Sequence, residues 1–324
     1  MTNEKAFDVV ALGELLIDFT ENGFSSQGNP LLEANPGGAP CNVLSMLSRF
    51  QRKTAFIGKV GKDGFGYRLD QAIVEQGISN LGLKYDEDVH TTLALVLKLP
   101  NGDRDFAFYR KPGADMNLQK DEVDVQLIQS AKIFHFGSLS LTDEPVRSAT
   151  QYAVQIAKES QCIISFDPNL REPLWSTLDA AKEQIAWGIA QADILKISDN
   201  EILWFTGKQN FDEGIQVLQK TYPNLKLITL SLGDKGSRAY CNGIHAEAPA
   251  FLQKGTIETT GAGDTFCACI LNSVLEKGLD IFDEESLRNM LIRANAAASI
   301  LTTRKGALRV MPTVAEINQL IHGE

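Results

Sequence analysis

The densest chemistry in this chain of 324 residues lies at Thr259–Phe266, where Gly261-Ala262-Gly263-Asp264 opens an apolar helix with Phe266, Ile270 and Val274 at fourfold spacing. Small residues at a helix start leave unbonded N–H groups on a backbone that a ligand can approach, which makes an anion site. Asp264 in that turn would set a carboxylate beside the bound anion, placed to act as a general base near a phosphoryl group. The competing reading is that Asp264 only caps the helix.

A second segment, Asn35-Pro36-Gly37-Gly38-Ala39-Pro40-Cys41-Asn42, precedes Val43, Met46, Leu47 and Phe50, the apolar face of another helix. Gly37 and Gly38 allow a ligand close to the backbone, and Asn42 can donate and accept; an ordinary turn with a helix start would look the same. Three polar loops follow strand-like runs: Asp167–Arg171, Ser198–Glu201 and Leu232–Gly236. Open α/β sheets bind ligands at such strand ends, so one cleft is expected there.

The elements that must hold these segments are legible. Val9–Leu12, Thr54–Ile57, Ile133–Phe136, Ile163–Phe166, Ile194–Ile197 and Leu227–Ser231 are apolar strand-length runs, separated later in the chain by helical stretches such as Pro145–Lys158 and Leu178–Ala190. Their alternation predicts a mostly parallel sheet covered by helices on both faces. Thr92–Leu99 alternates differently, with leucines on one face and Thr92, Ala94 and Val96 on the other. The turn Pro100–Asp103 and a second alternating run to Arg110 follow, which predicts a hairpin. Ile17–Phe24 and Leu31–Ala34 form a second candidate pair. One α/β domain over residues 1–324 is expected, with a small antiparallel lid drawn from about 17–34 and 92–110.

Composition narrows the partners. The net charge of −10 argues against nucleic acid and anionic membranes, so an anionic ligand must be met by local donors. The five cysteines read as reduced, buried thiols. Glu14 and Asp18 interrupt the first apolar stretch, and no run approaches a membrane span, so a cytoplasmic protein is expected. There is no GxGxxG turn, no GxxxxGK[ST] loop, no GxSxG elbow and no metal-ligand spacing among the four histidines; His135 reads as a core residue. A nicotinamide-dependent oxidoreductase would need the dinucleotide turn that is missing.

Taken together, Gly37–Asn42, Phe56–Asp63, Thr260–Asp264, Ala294–Ala298 and Thr303–Ala307 resemble the ribokinase/PfkB carbohydrate-kinase family, almost end to end. The resemblance implies a ribokinase-like three-layer α/β sandwich and phosphorylation of a small sugar by ATP and Mg²⁺. It implies Asp264 as the base and Gly261, Ala262 and Gly263 as the anion hole. Asp18, Gly37, Gly38 and Asn42 would meet the sugar, Arg171 a phosphate, and Phe108 and Arg110 would close from the lid. Ser198, Ser231, Gly233, Gly236 and Asn295 fall on the nucleotide side. Glu201 matches an acid that organises Mg²⁺ indirectly, with Ser198 where its asparagine partner is usual. Many relatives bind K⁺ near Glu258, Thr260, Arg304 and Gly306. Here Glu258 replaces an aspartate and Val310 a serine, so a weak K⁺ site is implied.

Within the family, Phe106–Arg110 and Lys111–Met116 are similar to bacterial fructokinases, which implies fructose as substrate and fructose 6-phosphate as product. A 2-keto-3-deoxygluconate kinase, a nucleoside kinase and a non-catalytic sugar-binding relative are the alternatives. The lid must bury a face on substrate or on a second copy, so a homodimer through the lid is expected.

Overall fold

The computed structural model describes residues 5–98 and 104–323. The predicted turn at Pro100–Asp103 lies outside these residues, as does Leu99.

Thirteen strands are described: β1 (Phe7–Leu12), β2 (Leu16–Phe24), β3 (Pro30–Gly37), β4 (Thr54–Gly61), β5 (Ile78–Asp86), β6 (Leu93–Lys98), β7 (Arg104–Tyr109), β8 (Ala131–Gly137), β9 (Ile163–Asp167), β10 (Ile194–Ser198), β11 (Leu227–Ser231), β12 (Ser237–Cys241) and β13 (Ile244–Ala248). Nine of them build one sheet in the order β13-β12-β11-β10-β9-β8-β1-β4-β5. From β11 to β5 every pair runs parallel, and β12 and β13 add an antiparallel hairpin at one edge.

The described helices are α1 (Ala39–Arg49), α2 (Gly64–Glu75), α3 (Val125–Gln129), α4 (Val146–Glu159), α5 (Leu178–Gln191), α6 (Asp199–Thr206), α7 (Phe211–Thr221), α8 (Ala262–Lys277), α9 (Glu284–Leu301) and α10 (Val314–His322). Side chains alternate across a strand, so β1 feeds two cores. Val9 and Ala11 pack with α1, α2, α8, α9 and α10, while Val10 and Leu12 pack with α3 to α7. This is the predicted three-layer, ribokinase-like sandwich.

The remaining strands form a separate sheet in the order β3-β2-β6-β7. Both hairpins expected there are present, but the central pair, β2 with β6, runs parallel, so the lid is a mixed sheet and not a purely antiparallel one. The reason is connectivity. β1 and β5 point the same way in the main sheet, and β2 and β6 leave from the same carboxyl end. The inward face of β6 is the one bearing Ala94 and Val96, which are buried, whereas Leu93 and Leu95 are only half-buried.

Candidate functional site

The carboxyl ends of β1, β8 and β9, the starts of α1 and α8, and the lid surround a cavity of about 480 Å³. The starts of α1 and α8 meet here because each is entered through a glycine. Gly38 caps α1 at φ 125, and a Cβ there would lie 2.4 Å from the Glu14 carbonyl oxygen. Gly261 caps α8 at φ 78, in the left-handed region that favours glycine. The start of α8 therefore turns backbone N–H groups toward this space, although that of Ala262 donates to the Thr259 carbonyl, whereas at α1 the Ala39 and Asn42 N–H groups are taken by Glu14 and by the Gly38 carbonyl.

Asp264 stands in the first turn of α8 and is 7% exposed. It does not cap the helix. Its Oδ2 instead accepts from Asn42 Nδ2 at 2.8 Å, across from α1. Asn42 Oδ1 is buried without a hydrogen-bond partner. Buried polar groups seldom stay unsatisfied, so a ligand donor, such as a hydroxyl, fits there. Burial raises the Asp264 carboxyl above the ordinary range, while the Asn42 bond, Lys196 and Arg171 oppose the shift.

Two further acids face the cavity. Burial pushes Asp18 up to about 7 against the pull of Arg171, with Glu258 and Asp264 adding to the rise. Glu14 is likewise pushed by burial to about 7, although its Oε1 accepts from the Ala39 N–H at 2.8 Å and so holds the start of α1. Phe108 and Arg171 line the same space. Among the described residues the guanidinium of Arg171 donates only to the Leu170 carbonyl, which leaves it available to an anion.

A second cavity, of about 360 Å³, lies on the other side of α8's first turn. Ser231, Gly233, Gly236 and Asn295 line it, with Phe251 and Ser299. Thr259 and Gly263 belong to both walls, so the two spaces meet at the start of α8. Asn295 borders the pocket, but its amide is taken up internally. Oδ1 accepts from Ser237, and Nδ2 donates to the carbonyls of Ala248 and Pro249. It shapes the wall and has no free donor for a base.

The predicted residues Gly37, Arg110, Ser198 and Glu201 line neither cavity. Arg110 is 2% exposed and does not line the cavity; its guanidinium donates to Asp115 at 2.7 Å, to Thr142 and to the Leu139 carbonyl. Gly37 approaches the site only indirectly, since a Cβ there would strike Asp18 Oδ2. Ser198 is tied to Glu201 in a capping box. Both Glu201 oxygens accept from protein donors: Oε2 from Ser198 N and Oγ, Oε1 from Leu170 N. Burial opposes that charge, yet Lys196 and these bonds hold Glu201 below the ordinary carboxylate range.

Among the residues that the family resemblance puts near a K⁺ site, Glu258 accepts from Thr260 Oγ1 at 2.7 Å and from the Gly306 N–H at 3.2 Å. Arg304 turns away, donating to the Val310 carbonyl and to Glu316. Among the described residues no group of three or more His, Cys, Asp or Glu side chains is arranged to hold a metal ion.

Sequence reading gave no site role to Glu14 or Lys196, and placed Thr259 and Asp167 only within the segments Thr259–Phe266 and Asp167–Arg171. Glu14 and Lys196 carried a signal: each is a lone charge inside an apolar strand or strand exit.

The sequence matches the pfkB family carbohydrate kinase profile over residues 6–314. The chain belongs to that family. It is 43% identical over 311 residues to a probable fructokinase-2 of Arabidopsis thaliana, covering 95% of this chain and 94% of that one. A fructokinase with bound ATP from Xylella fastidiosa superposes with a TM-score of 0.88 at 26% identity over 98% of both chains. A double mutant of the fructokinase of Vibrio cholerae O395, bound to fructose, ADP and potassium ion, gives a TM-score of 0.87 at 28% identity, covering 98% of this chain and 99% of that one. The chain is an ATP-dependent sugar kinase of this family. No described helix is long and apolar enough to cross a membrane.

Proposed function

We propose that this kinase phosphorylates the terminal hydroxymethyl of fructose to give fructose 6-phosphate. The observation that carries the reading is the junction of two cavities across the first turn of α8, with Asp264 on one side and the backbone of Gly261 and Gly263 between them. The relatives named fructokinases, and the neighbours solved with ATP or with fructose and ADP, support the same assignment.

In this mechanism the sugar sits against Asp18, Gly38 and Asn42, and its reacting hydroxyl faces Asp264. Asp264 takes the proton as the sugar oxygen bonds to the γ-phosphorus and the bond to the bridging oxygen of ADP breaks. The N–H groups at the start of α8, together with Arg171, stabilise the equatorial phosphoryl oxygens. ATP lies along Ser231, Gly233 and Gly236. Mg²⁺ is held mainly by phosphates and water in such sites, which fits a Glu201 whose oxygens are engaged by protein donors and that would meet the ion through water. When bound, that ion neutralises charge developing between the β- and γ-phosphates. Phe108 closes the sugar side.

The lid leaves Phe24 (65% exposed), Leu31 (48%), Leu32 (42%) and Tyr109 (62%) in solvent. An apolar surface of this kind supports a homodimer built through the lid, which sedimentation at micromolar concentration tests; a fully active monomer contradicts it.

The decisive experiment on substrate is a coupled ADP-release assay of the purified protein with fructose, ribose, 2-keto-3-deoxygluconate and nucleosides. Fructose is expected to give the highest kcat/KM. A higher value for a sugar acid or nucleoside overturns the assignment.

A further inference from the structure

Lys196 has no part in the transfer just described, yet its surroundings are unusual for an ammonium. It sits in β10 among Ile194, Leu195 and Ile197, all fully buried, and is itself 5% exposed. A charge at such a place is strongly unfavourable unless partners compensate it. Its Nζ lies 3.1 Å from Asp167 Oδ2 and 3.2 Å from Oδ1, at the end of the neighbouring strand β9. The same Nζ is 3.1 Å from where a Cβ on Gly263 would stand, so the ammonium packs under the first turn of α8.

A cation beside a helix N-terminus opposes the helix dipole, so this placement needs anions on several sides. They are present. Asp167 comes from β9, Glu201 from α6 and Asp264 from α8, with the Cys267 thiol also close. His135 on β8 completes the surroundings; burial and the Lys196 charge push its ring down to about 3, so it stays neutral. Burial disfavours the ammonium, but Asp167 and Glu201 outweigh that effect and Lys196 holds its proton more tightly than an ordinary lysine. The charged groups facing Asp264 are Lys196, Arg171, Asp18 and Asp167.

We propose that Lys196 is the fixed counter-charge of the base: clamped by Asp167 beneath Gly263, it keeps Asp264 ionised and ready to accept the sugar proton. It is a positioning residue, acting through Asp264. The inference rests on the reading of Asp264 as the base. It also accounts for glycine at position 263, where any side chain would push against the ammonium.

Lys196→Met and Asp167→Asn test it, with kcat followed against pH at saturating fructose and MgATP. Removing the positive charge disfavours the Asp264 carboxylate, so the acid limb of Lys196→Met should move up by about one pH unit. Its kcat should fall about tenfold at the acid end and recover toward the wild-type value at high pH. Removing the Asp167 charge leaves the ammonium to act on Asp264 with less opposition, so that acid limb should move down. A purely structural role would lower kcat by one factor at every pH and leave both limbs in place, and that result overturns the proposal. Should Lys196→Met fail to fold, Asp167→Asn decides alone: a limb that stays or rises refutes it. Wild-type protein without sugar-dependent ADP release would instead refute the kinase reading, and this inference with it.

Discussion

Asn42→Asp is the sharpest perturbation of the site because it changes one atom type 2.8 Å from Asp264 Oδ2. The wild-type amide donates to the base and leaves its charge intact. A carboxylate in its place puts two like charges at that separation. Coulomb's law at an effective dielectric of about 20 gives a repulsion of roughly 6 kcal/mol, equivalent to about four pH units. Relaxation and solvent will reduce this, but the pair still has to share one proton at neutral pH and titrate as a unit. Asp264 already lies above the ordinary carboxylate range through burial, which adds to the effect. The variant's kcat at pH 7 should therefore fall by about a hundredfold or more, the loss of a general base. Activity should return as pH is raised and the shared proton leaves, with little change in KM for ATP. The assay is coupled ADP release from pH 6 to 10 at saturating substrates. A kcat within about threefold of wild type at pH 7, or a loss that does not recover in alkali, would refute the base assignment and the role of the Asn42–Asp264 bond.

Three further outcomes are expected. Arg110→Leu should unfold in urea with about 3–5 kcal/mol less stability, because it strands buried Asp115, while KM for fructose in the folded fraction changes little; a selective rise in KM would restore Arg110 to the sugar site. Glu14→Gln should stabilise the protein increasingly as pH rises from 5 to 8. The raised Glu14 favours the folded state below its ordinary value of 4.5, and that contribution, at most roughly 3 kcal/mol, is lost as pH climbs through about 7; parallel melting curves at every pH would contradict this. K⁺ should activate less than about tenfold in a titration at saturating ATP, Mg²⁺ and fructose, about 1.4 kcal/mol, because both Glu258 oxygens accept protein hydrogen bonds. A large saturable activation would show that backbone carbonyls suffice.

Local chemistry was the readable part. Gly261–Asp264 and Gly37–Asn42 announce themselves because a helix start needs particular residues within one turn, and the parallel core shows as continuous apolar runs. The strands that escaped notice, β5, β12 and β13, carry polar residues such as Ser79, Asn80, Arg238 and Glu247 at or near the sheet edges, where one face meets solvent. Arg110 was misplaced for a different reason. A guanidinium's direction depends on partners such as Asp115 and Thr142, and its local string resembles a substrate contact equally well. The parallel pairing of β2 with β6 depends on two strands far apart in sequence leaving the same edge of the main sheet, which no local pattern encodes.

The distribution of charge explains how so acidic a protein can hold a nucleotide triphosphate. On the proposed sugar side stand Glu14 and Asp18, both buried and pushed to about 7, groups suited to exchanging hydrogen bonds with neutral hydroxyls. On the proposed phosphate side stand N–H groups at the start of α8 and the guanidinium of Arg171. Asp264 lies on the boundary, in the same helical turn that offers the donors, and is linked by Asn42 to the sugar side. If Asp264 is the base, as proposed, it can be neutralised at that boundary by the proton it accepts without weakening the donors that hold the phosphoryl group. The net charge of −10 then acts only at long range, where salt screens it, while donors within one helical turn set the potential that the phosphates meet.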